Sequence, residues 1–262
     1  MTALRMLVRN RRLIWSLTLL DFKIRYAGSR VGLLWMLLAP CLLLLAYLLL
    51  FGKILKVQPA PDLSGWTYAL VVACGLLPWL GFSEGLTRGT ASVLAQRNLL
   101  KSQMFPVELV PVTAVCVGLV GQLWGTMLLL AVVVAAGSIG LSVLLLPVLV
   151  LLQALFTTGL VWMLSCVNIL YRDTTQVVGL GVVLLMFVSP IAFTADMVPD
   201  GLDVMVRLNP LSFLMEGYRA ILLHAQVPAF GGLAVFGALA VCILLIGHGY
   251  FTRLRTALPD LV

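Results

Sequence analysis

The sequence predicts an all-α integral membrane protein with six transmembrane helices, and two observations carry that prediction. Hydrophobic residues make up 62% of the 262 and charged residues only 10%, with a mean hydropathy of +1.12. A chain of that composition cannot hide its apolar surface in water. The second observation is the placement of the charges. Between Arg30 and Arg253 lie six stretches, each roughly twenty residues long, with almost no charge. Six such spans and their connections leave no room for a separate soluble domain, so residues 1–262 read as a single transmembrane domain.

Residues 1–30 read as a cytoplasmic interfacial helix. Within 2–26, Leu4, Leu7, Val8, Ile14, Leu17 and Leu20 recur near helical spacing, while Arg5, Arg9, Arg12, Asp21 and Lys23 occupy much of the rest. That is the pattern of a helix lying in the headgroup plane. The basic start followed by apolar residues 13–20 resembles a signal peptide. Asp21 interrupts it and no small-residue cleavage site follows, so the segment reads as retained.

The first span is expected at about 31–51, since no charge intervenes between Arg30 and Lys53. The second, between Asp62 and Glu84, is placed at 63–83. No charge falls between Glu108 and Arg172, which is room for two helices, at 109–136 and 141–168. Gly137, Ser138 and Gly140 punctuate the turn between them. The fifth span is placed at 174–195, with Pro190 interrupting it near its outer end and the Ser189 hydroxyl available to satisfy freed backbone. The sixth is placed at 229–250. A helix of twenty-two residues is about 33 Å long, enough to cross the hydrocarbon core.

An even number of spans puts both ends on one side. With that side inside, Arg5, Arg9, Arg11, Arg12, Lys23, Arg25, Arg30, Arg88, Arg97, Lys101, Arg172, Arg253 and Arg255 are internal, thirteen of the 17 basic residues. Only Lys53, Lys56, Arg207 and Arg219 are external. The imbalance predicts cytoplasmic termini. The same arithmetic removes nucleic acid as a partner: the net charge of +7 sits beside apolar spans, where anionic lipid headgroups are nearer.

Two connections are unlike plain loops. Residues 84–108 carry Arg88, Arg97 and Lys101 and then Met104-Phe105-Pro106-Val107-Glu108, a basic segment with an apolar pair suited to docking on another protein. In residues 196–228, Asn209-Pro210 reads as a helix start, Asn as N-cap and Pro at the first helical position. Leu211, Leu214, Tyr218 and Ile221 then share one face; Ser212, Glu216 and Arg219 share another. The expectation is a short amphipathic or re-entrant helix at the outer face, with Glu216 and Arg219 paired three residues apart.

Absences narrow the chemistry. The chain has no G-x-x-x-x-G-K-[ST] phosphate loop and no H-E-x-x-H metal motif. His224 and His248 are lone. The five cysteines (Cys41, Cys74, Cys116, Cys166, Cys242) lie in apolar runs without a C-x-x-C pair, and so read as packing residues. No ionisable residue is expected at the middle of a span, where ion-coupled transporters place their relays. A transporter driven from elsewhere needs none.

A resemblance organises these features. Asp21-Phe22-Lys23-Ile24-Arg25-Tyr26, then Gly28-Ser29-Arg30, Gly32, Leu34-Trp35 and Pro40, resembles the start of the membrane subunits of type-2 ABC exporters. The nearest branch is the one that exports polysaccharide: O-antigen, capsule and teichoic-acid permeases. Phe105-Pro106-Val107-Glu108-Leu109-Val110-Pro111 is similar to that family's segment before the third span, and Tyr171-Arg172-Asp173 to its turn before the fifth. Ser189-Pro190-Ile191, Asn209-Pro210-Leu211 and Glu216-Gly217-Tyr218-Arg219 are similar to its outer segment. The matches run in order along nearly the whole chain.

The resemblance implies a non-enzymatic permease in a bacterial cytoplasmic membrane. It would act as a homodimer with a separate ATPase that holds ATP and Mg, this chain binding no cofactor itself. Residues 84–108, with Arg88, Arg97, Lys101, Phe105, Pro106 and Glu108, would couple to that ATPase. Asn209, Pro210, Glu216, Tyr218 and Arg219 would form the outer gate. A lipid-linked glycan would need cations for its phosphates, which Lys23, Arg25 and Arg30 could supply, and flat aromatic faces along its path, for which Trp35, Tyr47, Trp79 and Phe82 are candidates. Two alternatives stand beside this. One is a type-2 permease for a drug, lipid or other small hydrophobic molecule. The other is a membrane-embedded transferase, which would need clustered acids where Asp21, Glu84, Glu108 and Asp173 are dispersed in sequence.

Overall fold

In a computed structural model, residues 3–26, 29–54, 65–96, 106–137, 140–194, 197–198, 201 and 203–255 are described, and among them every regular element is helical. The order is α1 (Ala3–Arg9), α2 (Arg11–Tyr26), a 3-10 turn (Gly32–Leu34), α3 (Trp35–Tyr47) continued by a π-helical stretch (Leu48–Ile54), α4 (Gly65–Ala95), α5 (Leu109–Ala135), a 3-10 turn (Leu141–Leu145) leading into α6 (Leu146–Leu170), α7 (Thr174–Val188), α8 (Asp203–Leu208), α9 (Pro210–Leu222) and α10 (Phe230–Arg255).

Among the described residues, four segments are long and apolar enough to cross a membrane: Thr67–Ala95, Leu109–Ala135, Leu141–Leu170 and Phe230–Leu254. Leu38–Ile54 and Thr174–Val188 are shorter apolar helices. The fifth expected span therefore ends earlier than 195. Ser189 is extended, with φ −81° and ψ 137°, because Pro190 disfavours helical geometry in the residue before it.

α4 is the hub. Its apolar stretch is 72% buried inside the protein, against 22% for α10. It packs on α5, α6, α7 and α9, while α6 packs on α10. Close crossings are built on glycine. A Cβ on Gly118 would stand 2.8 Å from the Gly81 carbonyl, and one on Gly159 2.5 Å from the Ile243 backbone. Lipid tails are as apolar as the helices, so such backbone approach and its dispersion contacts supply much of the association.

The expected loop at 84–108 is corrected in its first half. Residues 84–95 continue α4 without a break. Glu84 and Arg88 do not end the helix; spaced one turn apart, they pair along it at 3.0 Å. The turn between α5 and α6 falls where expected, with Gly137 at φ +73°.

The N-terminal segment is two helices broken at Asn10, whose amide caps back onto the Met6 carbonyl at 2.9 Å. Ala3, Met6 and Thr18 are buried against the bundle, while Val8, Trp15, Leu20 and Ile24 face outward. An apolar outward face on a basic helix suits a lipid interface. α3 and α7 leave much of their surface open: α7 buries no residue completely, and Leu38, Leu42, Leu45 and Leu49 of α3 and its continuation are exposed.

Candidate functional site

Three polar constellations interrupt an otherwise apolar bundle, at three depths. The first closes the end of α7. Asn209 caps α9, its Oδ1 accepting from the Leu211 amide at 3.0 Å, as the Asn-Pro pair predicts. Its Nδ2 donates to the Ser189 hydroxyl at 2.9 Å, and Ser189 donates to the Leu185 carbonyl at 2.7 Å. Arg219 does pair with Glu216, at 2.9 Å, but it is not on a solvated face. It is only 3% exposed, and its Nη2 donates to the carbonyls of Pro190 at 2.5 Å and Ile191 at 3.0 Å. Tyr68 of α4 donates to the next carbonyl, Ala192, at 3.0 Å. Non-helical backbone buried in an apolar bundle must be satisfied by protein, and here one guanidinium and one phenol satisfy three successive carbonyls.

The expected two-faced α9 is corrected accordingly. Ser212 and Arg219 are buried along with Leu211, Leu214, Tyr218 and Ile221; Glu216 and Phe213 are open. The helix is inserted among α4, α6 and α10 rather than laid on the surface.

The second constellation lies midway along the bundle. Gln122 of α5 and Gln153 of α6 exchange amide hydrogen bonds, Gln122 Nε2 to Gln153 Oε1 at 2.9 Å and Gln153 Nε2 to Gln122 Oε1 at 2.7 Å. Gln153 also donates to the Pro78 carbonyl at 3.0 Å, and Gln122 to the Tyr218 hydroxyl at 2.8 Å. Four helices thus meet at one buried network. In sequence its members are polar residues scattered through apolar spans; an amide in each of two neighbouring spans was the available signal.

The third sits at the opposite end of the bundle from the first. Glu84 takes both Arg25 of α2 and Arg88 on one carboxylate oxygen. Asp21, one turn before Arg25, is half-buried; burial pushes its carboxyl above the usual carboxylate range, and Arg88 partly draws it back. Acids dispersed in sequence are here brought into one ionic cluster. A residue read as a phosphate ligand, Arg25, and one read as a coupling residue, Arg88, share a partner. Lys23 and Arg30 are exposed nearby in the chain.

The remaining expected residues divide. Trp35 is open, 42% exposed, and Tyr47 is half-buried, stacked on Phe51 with centroids 5.5 Å apart. Trp79 and Phe82 lie in the core, 3% and 2% exposed, with Phe82 stacked on Phe156. Glu108 is likewise buried, 3% exposed, its backbone carbonyl accepting from the Trp162 indole at 2.9 Å; Pro106 is half-buried ahead of α5. Arg97, Lys101 and Phe105 lie outside the described residues. His248 packs on Trp162, ring centroids 5.2 Å apart.

Known proteins align with nearly the whole sequence. The family described as ABC-2 type transporter matches residues 12–223. The chain is 31% identical over 254 residues, 96% of its length and 95% of the relative's, to an O-antigen export system permease protein RfbA of Myxococcus xanthus. It is 25% identical over 244 residues, 92% of each chain, to one from Klebsiella pneumoniae of the same name.

Proposed function

The chain belongs to the ABC-2 type transporter family, a multi-pass membrane protein and a transport subunit rather than a catalytic one, and we propose that it is the permease through which a polysaccharide of the O-antigen type leaves the cytoplasm on a lipid carrier. The observation that carries this reading is the alignment of nearly the whole chain with O-antigen export permeases of two organisms. An ATPase on a separate chain drives it. The sequence itself lacks a phosphate loop, and the bundle offers amides at mid-depth where an ion-coupled carrier would need ionisable groups.

In this reading six segments cross the cytoplasmic membrane, α3 and α7 among them, and both termini are cytoplasmic. The basic end, with Lys23, Arg25 and Arg30, meets the carrier's phosphates at the inner leaflet. The segment after α4, which includes Arg97, Lys101 and Phe105, rests on the ATPase. Two copies form the pathway; the open faces of α3 and α7 support their use as its walls. The clasp around Arg219 and Asn209 holds the outer gate shut.

Deletion of the coding sequence tests the reading. The expected result is loss of surface polysaccharide with accumulation of its lipid-linked form inside, restored by the wild-type chain. Undiminished surface polysaccharide in the deletion would overturn it.

A further inference from the structure

Every amide hydrogen of the Gln122–Gln153 pair is committed. The two on Gln153 Nε2 go to Gln122 Oε1 and the Pro78 carbonyl. The two on Gln122 Nε2 go to Gln153 Oε1 and the Tyr218 hydroxyl. A Cβ on Gly81 would collide with the Gln122 amide, so α4 leaves the pair the room it occupies. An amide nitrogen only donates, so the Tyr218 oxygen accepts and its own hydrogen must go elsewhere. Thr126, the other hydrogen-bond partner of Tyr218, gives its hydrogen to the Gln122 carbonyl at 2.9 Å and is left as the acceptor. Donor and acceptor are thereby fixed at every step, and the circuit closes only with α9 in place.

Tyr218 and Arg219 are successive residues of α9 and hold it to different structures. Arg219 fastens it to the carbonyls after α7. Tyr218 fastens it to an amide whose position depends on the spacing of α5 and α6. α5 begins at Leu109, directly after the segment proposed to meet the ATPase, and Gln122 stands about 20 Å along it at the helical rise. A slide of about 2 Å between α5 and α6, the size of helix shifts in switching proteins, weakens both amide bonds at once. Gln122 then no longer presents its second hydrogen to Tyr218.

We propose that Gln122 and Gln153 are positioning residues for the outer gate: joined to each other they hold α9 in the bundle through the Tyr218 hydroxyl, and a slide between α5 and α6 releases it. The proposal rests on the export reading for calling α9 a gate, and it adds what governs the release.

Two buried native cysteines provide the readout. Cys74 of α4 is 0% exposed and shares a packed cluster with Met215, Tyr218 and Leu222 of α9, so the departure of α9 uncovers it. Cys166 of α6 is 1% exposed and lies in the other cluster, with Trp162 and Val107, which α9 does not cover. The full chain in nanodiscs is treated with methanethiosulfonate ethylammonium, and modification of each cysteine is followed by peptide mass spectrometry. With rapid reclosing, the rate tracks the open population. Tyr218→Phe is expected to raise the Cys74 rate about tenfold, the weight of one buried hydrogen bond, with Cys166 unchanged. Gln153→Met, at a residue that hydrogen-bonds to α4 and α5, should raise it as well. The double variant should react no faster than the faster single one, because both open the same circuit. An unchanged Cys74 rate in either single variant overturns the proposal, and so do effects that multiply in the double. A rise at Cys166 in step with Cys74 also overturns it, reducing the amide pair to general packing. If Gln153→Met does not fold, Thr126→Val, which removes the acceptor of the Tyr218 hydrogen and leaves both amides, takes its place under the same criteria. The measurement uses neither ATPase nor cargo, so it can fail while the deletion phenotype holds, and the reverse.

Discussion

Arg219 shows why a charged residue can sit almost fully buried in an apolar bundle. Its partners are two carbonyls that Pro190 and the break after α7 leave without helical donors, and a carboxylate one turn back on its own helix. A guanidinium has the fork geometry to reach several acceptors at once, and an ammonium does not. Arg219→Lys is therefore expected to behave like Arg219→Ala. Both should lower the stability of the detergent-solubilised protein by roughly 2 kcal/mol, the worth of a charge-assisted hydrogen bond or two, whereas Glu216→Gln, at a half-exposed partner, should cost far less. A thermal unfolding series checks this; full rescue by lysine would remove the carbonyl clasp as the reason for arginine. The pairing with Glu216 was legible from spacing. The carbonyl contacts were not, because nothing local in the sequence shows that a helix twenty-eight residues away stops in reach.

At the scale of elements, local signals and long-range ones separate cleanly. Asn209-Pro210 and Ser189-Pro190 announce a helix start and a helix stop through backbone chemistry confined to two residues, and both fall where that chemistry puts them. The Gln122–Gln153–Tyr218 network joins residues 31 and 96 apart, and no periodicity marks it. The extension of α4 through residues 84–95 was hidden for a different reason. Charge was read as the end of a span, while Glu84 and Arg88 satisfy each other on the helix surface. Helix crossings also obey geometry that composition does not reveal. Gly118→Val would drive side-chain atoms into the backbone of α4 at Gly81 and Gly85 and is expected to destabilise the fold by about 1–3 kcal/mol. Gly121→Val, one turn on and facing open space, should be nearly neutral. Equal effects in a thermal shift assay would refute the crossing.

For the whole molecule, the segregation of charge predicts an orientation. The ionic cluster of Arg25, Glu84 and Arg88 and the Tyr171–Asp173 turn share one end, and the Asn209–Arg219 clasp the other. With Cys41 and Cys242, the two exposed cysteines, replaced by alanine, a cysteine at Gln226 should react with an impermeant maleimide in intact cells, and one at Tyr171 only after lysis. Labelling of residue 171 from outside would invert the assignment. The membrane class and the order of the helices were legible because hydropathy and charge placement are physical constraints on every span. Which residues meet inside the bundle was not, since Trp79, Phe82 and Glu108 look interfacial by position and are core by packing.

The unbroken run of α4 has a mechanical corollary. Near its midpoint Gly81 bears on Gly118 with no side chain between them, so the helix has a fulcrum. Tyr68 and Ala95 stand about 20 Å and about 21 Å away on either side at the helical rise. Pro78, which lacks an amide proton, lies inside the helix three residues from that contact, so the two arms join where the helical ladder is already one hydrogen bond short.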